Sequence, residues 1–327
     1  SHVVGKSYVN TGQKPAGSGN AKGDSIGLGL IGYSHYDQEK SSLVNQEKLN
    51  GLYDLPSISI GFPSYNASGL FTQNTNVSRA DHIAGILAPY TSTVGTNTEA
   101  KISALEKRLR SCVGKSYPDF SPTDRVFSER CRAERVLQSG VFEKLKVNTF
   151  GDTQKAFGIT AKTTQTDPLY RAAVAAQLIN ENVSRDVSVT IQSNLDTHNG
   201  GNDTLQRSLQ TSAFEAIAKM LAHLETSDPG LKRTTVIISS EFSRTPKLNG
   251  RGGRDHWLSN AMIVIDPKLN HGVYGQIGLT DYLPVPYNDA IGVLRPEHVI
   301  ATLYEAHNLT PPALRGGEQA LTEAIKA

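Results

Sequence analysis

The sequence predicts an α/β fold, with a largely parallel sheet and helices on its faces. Three observations predict it. Over residues 187–307 the expected elements run strand, helix, strand, loop, strand, helix, which is the order that builds parallel sheets through crossover helices. Thr234-Thr-Val-Ile-Ile-Ser-Ser240 is an apolar, β-branched run too short for a helix, with the continuous hydrophobicity of a strand buried on both faces. Hydrophobic residues make up 38% of the 327 and charged residues 20%, enough for one large domain or two smaller ones with a real core.

Taken in order, residues 1–24 are rich in Gly, Ser, Asn and Lys and read as a loop or a short helix followed by a loop. Apolar or alternating runs at 25–33 and 57–62 read as strands. From 63 to 97 the chain is Ser-, Thr-, Asn- and Gly-rich and is expected to be irregular, facing substrate. Tyr65 and Phe71 are its aromatic candidates for a sugar- or polymer-binding role. Ile102, Leu105 and Leu109 have helical spacing over 101–110, and 126–145 reads as a second, charged helical segment. The region 63–160 therefore reads as an insertion or cap, and 165–310 as the best-defined core of one domain spanning 1–327. Asp167-Pro168 opens a helix whose stripe is Leu169, Ala172, Ala173, Ala176 and Ile179. Val187, Val189 and Ile191 alternate as a strand. Leu205, Leu209, Ala213, Ala216, Ile217, Met220, Leu221 and Leu224 mark the clearest helix, which Asp228-Pro-Gly230 closes. A strand at 261–265 and a helix at 296–306, with Pro296 in its first turn, complete the core.

Net charge is +2, which gives no electrostatic argument for nucleic acid or an acidic membrane surface. No apolar run reaches the roughly 20 residues of a membrane span. A first residue Ser1 in place of Met reads as a processed chain or part of a longer one. Cys112 and Cys131 are either one disulfide or two buried thiols. The Gly27–Gly32 stretch matches GxGxxG, but no clear strand precedes it and no amphipathic helix opens after it, so it reads as a small-residue strand. Asn66, Asn76 and Asn182 head short glycosylation sequons of little weight.

Two successive expected strands deliver acids and a histidine to one edge. Asp196-Thr-His198 follows the first and Glu241 the second, and a Gly-rich turn at 249–253 then presents Asp255 and His256 beside the chain's single Trp. Ligands bind at the carboxyl edge of α/β sheets. Carboxylates and imidazoles suit Zn, Mn or Fe, and a more oxygen-rich set suits Ca or Mg. Asp196, His198, Glu241, Asp255 and His256 are the expected metal shell for one or two divalent ions, or none. Arg244 and Arg254 flank it and suit a bidentate clamp on a phosphate- or sulfate-like oxyanion. His223 is expected to be structural, and His298 and His307 show no carboxylate constellation in the sequence.

Asp196-Thr-His198, the helix after it, Glu241-Phe-Ser-Arg-Thr-Pro246 and Gly253-Arg-Asp-His-Trp257 together resemble an uncharacterised bacterial family of the alkaline phosphatase/sulfatase superfamily, typically exported by the twin-arginine route. The resemblance is strong over about 170–310 and weaker over residues 1–12. It implies a three-layer α/β/α sandwich around a mixed, mostly parallel sheet, export to the periplasm or beyond, and metal-assisted hydrolysis of a small-molecule or polymer phosphate or sulfate ester. It also implies that Asp196, His198 and His256 bind one metal, that Glu241 belongs to a second, and that Ser1 lies near the nucleophile position. Phe242 stands where the superfamily commonly has His. That departure leaves a second expectation open: a non-catalytic binding or assembly protein that keeps the fold with an incomplete metal site.

Overall fold

The computed structural model describes residues 57–61, 74–77, 98, 101, 102, 104, 105, 108, 151–184, 186–240, 243–257, 259–309 and 319–326. Ser1, the 25–33 strand, the 27–32 glycine pattern, Tyr65, Phe71, the 126–145 helix, both cysteines, Glu241 and Phe242 lie outside the described residues. The chain divides into two compact units, 1–80 with 152–327, and 81–151. In the second unit, residues 98, 101, 102, 104, 105 and 108 are helical, and Ile102 and Leu105 of the expected stripe are exposed.

The first unit is mixed α/β with small sheets. Strands β1 (Ser57–Ile60), β2 (Asn74–Val77) and β3 (Asp186–Val189) form a parallel sheet in the order β2-β1-β3. Strand β1 is buried along Ile58, Ser59 and Ile60, as befits a central parallel strand. Strand β2 lies inside the 63–97 stretch, which the composition marks as irregular. Its Asn-Thr-Asn-Val carries no apolar alternation, so its pairing is set by the neighbouring strand and not by its own pattern.

Helix α1 (Gly151–Phe157) precedes α2 (Pro168–Asn180), which packs on α3 (Asn202–Ser227) and β3. The start of α2 follows from its sequence. Asp167 Oδ1 accepts from Leu169 N at 2.8 Å, and Pro168 supplies the first turn with φ already set. At its end Asn182 takes φ 53°, the left-handed turn that Asn tolerates. Ala172, Ala173, Ala175 and Ala176 are buried, and their small side chains let α2 approach the sheet and α3 closely. The stripe of α3 is only half covered. Ala216, Ile217, Met220 and Leu224 are buried, but Leu205 is 53% exposed.

Burial also explains His223. Thr153 Oγ1 donates to Gln177 Oε1 at 2.7 Å. Its single proton is thereby used, so His223 Nε2–H donates to it across 2.9 Å. The ring meets Phe157 edge-on at 5.7 Å. Burial holds the His223 imidazole below its ordinary range, against the opposing charge of Asp152. An unfolded chain therefore takes up this proton first as pH falls. The stability contributed by the neutral ring is complete above an unfolded value of about 6.5 and declines below it. Replacing His223 with Gln is expected to give a shallower fall of thermal midpoint from about pH 7 to about pH 5. An unchanged slope would remove His223 from the account.

A short 3-10 turn (Pro229–Leu231) leads to β4 (Val236–Ile238). The expected central parallel strand is here corrected. Strand β4 pairs antiparallel with β7 (Ile263–Ile265) in a two-stranded sheet, and its three residues are only half-buried. Parallel pairing needs a crossover, commonly helical. Among the described residues between β4 and β7 there is no helix, only a two-residue ribbon of β5 (Ser243–Arg244) and β6 (His256–Trp257), so the chain returns antiparallel. Helix α4 (Pro296–Ala306) follows, with Ile300, Leu303 and Tyr304 buried. No helix of the described residues is long and apolar enough to cross a membrane.

Candidate functional site

The site is built where the loop after β3 meets the glycine turn between β5 and β6. Arg171 of α2 fixes the loop's root, with Nη1 donating to Thr190 O at 2.7 Å. Asp196 then folds its own turn. Its Oδ1 accepts from His198 N at 3.1 Å, the local bond through which Asp initiates turns. The same oxygen meets His198 Nδ1 in a short contact. Arg244 Nη1 lies 3.2 Å from Nδ1 and 3.3 Å from Nε2, and with Nδ1–H directed to the carboxylate only Nε2 can accept from it.

The glycine turn is stitched to this loop through backbone. Gly200 N donates to Arg251 O at 3.0 Å, and Arg254 N to Thr197 O at 2.5 Å. Gly253 is required by space: a Cβ there would lie 2.2 Å from the His198 carbonyl carbon and oxygen. Asn249 organises the turn. Its Oδ1 accepts from Arg251 N at 2.9 Å and Gly253 N at 3.0 Å. Its Nδ2 donates to His198 O at 3.0 Å and to Asp255 Oδ1 at 2.8 Å. The sequence shows Asn249 only as part of a turn. An Asn followed by Gly-Arg-Gly-Gly is the signal that would have marked it.

Strand β5 brings Arg244 to the same place. Its side chain is 12% exposed. It donates to Leu195 O, Asp196 Oδ1 and Arg254 O at 3.3, 3.3 and 3.2 Å. Across the ribbon Arg244 pairs with His256, whose ring lies 4.8 Å from that of His198. Burial, then the charges of Arg244 and His198, hold the His256 imidazole below its ordinary range against the pull of Asp196, so it keeps a lone pair at neutral pH. Burial pushes the Asp196 carboxyl up, but hydrogen bonds from His198 and the charges of His198 and Arg244 outweigh it and leave the carboxyl below its usual value.

Asp196, His198, Arg244 and His256 are therefore together. Asp255 sits one residue away, its carboxylate held by Asn249. Arg254 is engaged elsewhere: Nη1 donates to Thr245 O at 2.8 Å and Pro246 O at 2.5 Å, and Nε is 4.0 Å from Asp203 Oδ1. Glu241 and Ser1 lie outside the described residues.

These local features coincide with the match of a family model, "Protein of unknown function (DUF1501)", over residues 72–320. The chain belongs to DUF1501. The matched DUF1501 region holds every site residue brought together here, and Asn249 with them. No curated protein and no solved structure matches the chain.

One carboxylate and two imidazoles have the donor chemistry of a divalent cation such as Zn, Mn or Fe. Among the described residues no three His, Cys, Asp or Glu side chains form a metal-holding group by themselves. The guanidinium of Arg244 lies against Asp196 and His198.

Proposed function

We propose that this chain is a metal-dependent hydrolase-like protein that acts on a phosphate or sulfate ester, in an alkaline phosphatase-like α/β/α fold exported to the periplasm or beyond. The observation that carries the reading is the convergence of Asp196, His198, Arg244 and His256 from loop, β5 and β6. Asp196, His198 and His256 would hold a divalent ion, with Glu241 as a further ligand, while Asp255 alternates to the other face of the β5–β6 ribbon. When bound, such an ion supplies Lewis acidity at the ester oxygens. The residues themselves do the rest. His256 stays neutral beside Arg244, so it offers a lone pair as ligand or proton acceptor. Arg244 presents a fixed cation to the ester oxyanion. Arg254 braces the turn through the Thr245 and Pro246 carbonyls. Water cleaves the ester to an alcohol and free phosphate or sulfate.

A second reading is favoured by the position of Arg244. Its guanidinium already supplies positive charge to Asp196 and His198, which suits a non-catalytic binding or assembly protein with an incomplete metal site. Elemental mass spectrometry on protein purified without chelator separates the two. The hydrolase reading expects one or two equivalents of Zn, Mn, Fe or Ca, a lower content in His256→Ala, and turnover of 4-nitrophenyl phosphate or sulfate that chelator abolishes. Metal-free wild type with no turnover would establish the second reading.

A further inference from the structure

The β5–β6 ribbon has two faces. Ser243 pairs with Trp257 and Arg244 with His256, and Thr245 N donates to Asp255 O at 2.9 Å, so the pairing continues one residue further. Side chains alternate across a ribbon. Arg244 and His256 face Asp196 and His198. Thr245, Asp255 and Trp257 alternate to the other face, where they line a cavity of about 360 Å³ with Tyr282, Asp281 and Leu248. That volume is within the roughly 300–1,000 Å³ of small-ligand sites.

Its aromatic wall is built at a conformational cost. Tyr282 has φ 59°, a left-handed backbone that is unfavourable for an aromatic residue. It is kept there from several sides. Tyr282 N donates to Gly278 O at 3.1 Å, and Gly278 N to Leu283 O at 2.8 Å. Leu283 N donates to Asp281 Oδ1 at 3.0 Å. Trp257 Nε1 donates to Tyr282 O at 3.0 Å, which locks the two aromatic residues side by side. Yet Tyr282 remains 37% exposed and Leu248 58% exposed. The strained aromatic residue thus stands in the wall of the cavity, partly open to solvent.

The polar groups name the ligand. Asp255 accepts one bond, from Asn249, and Asp281 accepts one, from Leu283 N; in both cases Oδ1 is the acceptor. Oδ2 of each carboxylate can still accept. Paired carboxylate acceptors beside aromatic faces suit a ring that carries several hydroxyl donors. They repel an anion, and Lys247 in the same lining offsets one of their two charges, which weakens the pull on a cation. We propose that this cavity is a saccharide-binding site, which takes a neutral sugar unit against Trp257 and Tyr282 with its hydroxyls donating to Asp255 and Asp281. It does not rest on the hydrolase reading, since Arg244 and His256 face the other way.

Trp257 is the only tryptophan in the chain, so tryptophan fluorescence reports on this cavity directly. The test is a fluorescence titration of the full chain with maltotetraose, cellotetraose and chitotetraose, with spermine as the cationic control. At least one oligosaccharide is expected to shift the emission saturably, and chelator is expected to leave the shift unchanged. Replacing Tyr282 with Gly removes the ring and relieves the left-handed backbone, so the variant keeps its fold; its affinity is expected to drop at least tenfold. Silence with all three oligosaccharides, a response to spermine alone, or equal affinity in Tyr282→Gly would overturn the proposal. A metal-free, inactive protein that still binds sugar would sink only the hydrolase reading.

Discussion

Replacing Gly253 with Ala is expected to separate the two loops of the site and to lower stability by about 3 kcal/mol. The new Cβ would lie 2.2 Å from the His198 carbonyl carbon and oxygen and 2.4 Å from Asn199 N. All three are backbone atoms, so no rotamer change relieves the overlap and the strands of chain must part. Three hydrogen bonds then lengthen: Arg254 N to Thr197 O, Gly200 N to Arg251 O, and Asn249 Nδ2 to His198 O. At about 1 kcal/mol each they account for the expected loss. Gly250 provides the control. A Cβ there meets nothing within 4 Å, so Gly250→Ala should change stability by under about 1 kcal/mol. The measurement is the urea midpoint of both variants at unchanged slope. Equal midpoints would mean that the loops are not in contact at Gly253.

The helices were legible because their ends are written in local chemistry. Asp167-Pro168 caps and starts α2, and Pro296 starts α4 within the first turn. The stripe of α3 was legible as a stripe but not as a buried one. Whether Leu205 or Phe214 is covered depends on what lies opposite, and both are about half exposed. Strand direction was not legible. Val236–Ile238 is apolar enough for a central strand, but its partner is chosen by the connection that follows, and that connection is a ribbon without a described crossover helix. Strand β2 has no apolar pattern of its own to announce it.

At the site, Asp196-Thr-His198 was legible because a short acid beside a histidine after a strand makes its own turn. Arg244 was legible as a flanking cation. That it turns inward onto Asp196 and His198 follows from the ribbon's alternation, which no composition reveals. Asn249 was not legible, because its role is a sum of four bonds, three of them to backbone atoms that only the folded turn brings within reach. His307 escaped for a related reason: its carboxylate partner lies 41 residues away.

That partner is Asp266, and Asp266→Asn is expected to cost about 2–4 kcal/mol. The Asp266 side chain is fully buried, whereas His307 is partly exposed. Its Oδ2 accepts from His307 Nε2 at 2.9 Å and makes a short contact with Thr235 Oγ1, and its Oδ1 accepts from Lys268 N at 2.8 Å. One carboxylate thus joins the start of β4, the turn after β7 and the end of α4. Asparagine fits the space but has one acceptor oxygen in place of two and no charge. Its amide nitrogen, set against Thr235 and His307, must reverse the hydroxyl and change the ring tautomer, and the charge-assisted bonds are lost. Burial pushes the Asp266 carboxyl up, but the bonds from His307, Thr235 and Lys268 N, with the charge of His307, outweigh it and hold the carboxyl below its ordinary value. The sign of the pH dependence follows. An unfolded chain protonates this group first, near about pH 4, so the contribution is complete above that value and is lost as pH falls through the lower folded value. The stability gap between wild type and Asp266→Asn should therefore be present from about pH 7 to about pH 5 and should close in stronger acid. Thr235→Val, which removes one donor and keeps the charge, should lose only about 1 kcal/mol over the same range. Urea midpoints across pH decide it: a gap that does not close in acid would assign the loss to shape rather than to the carboxylate.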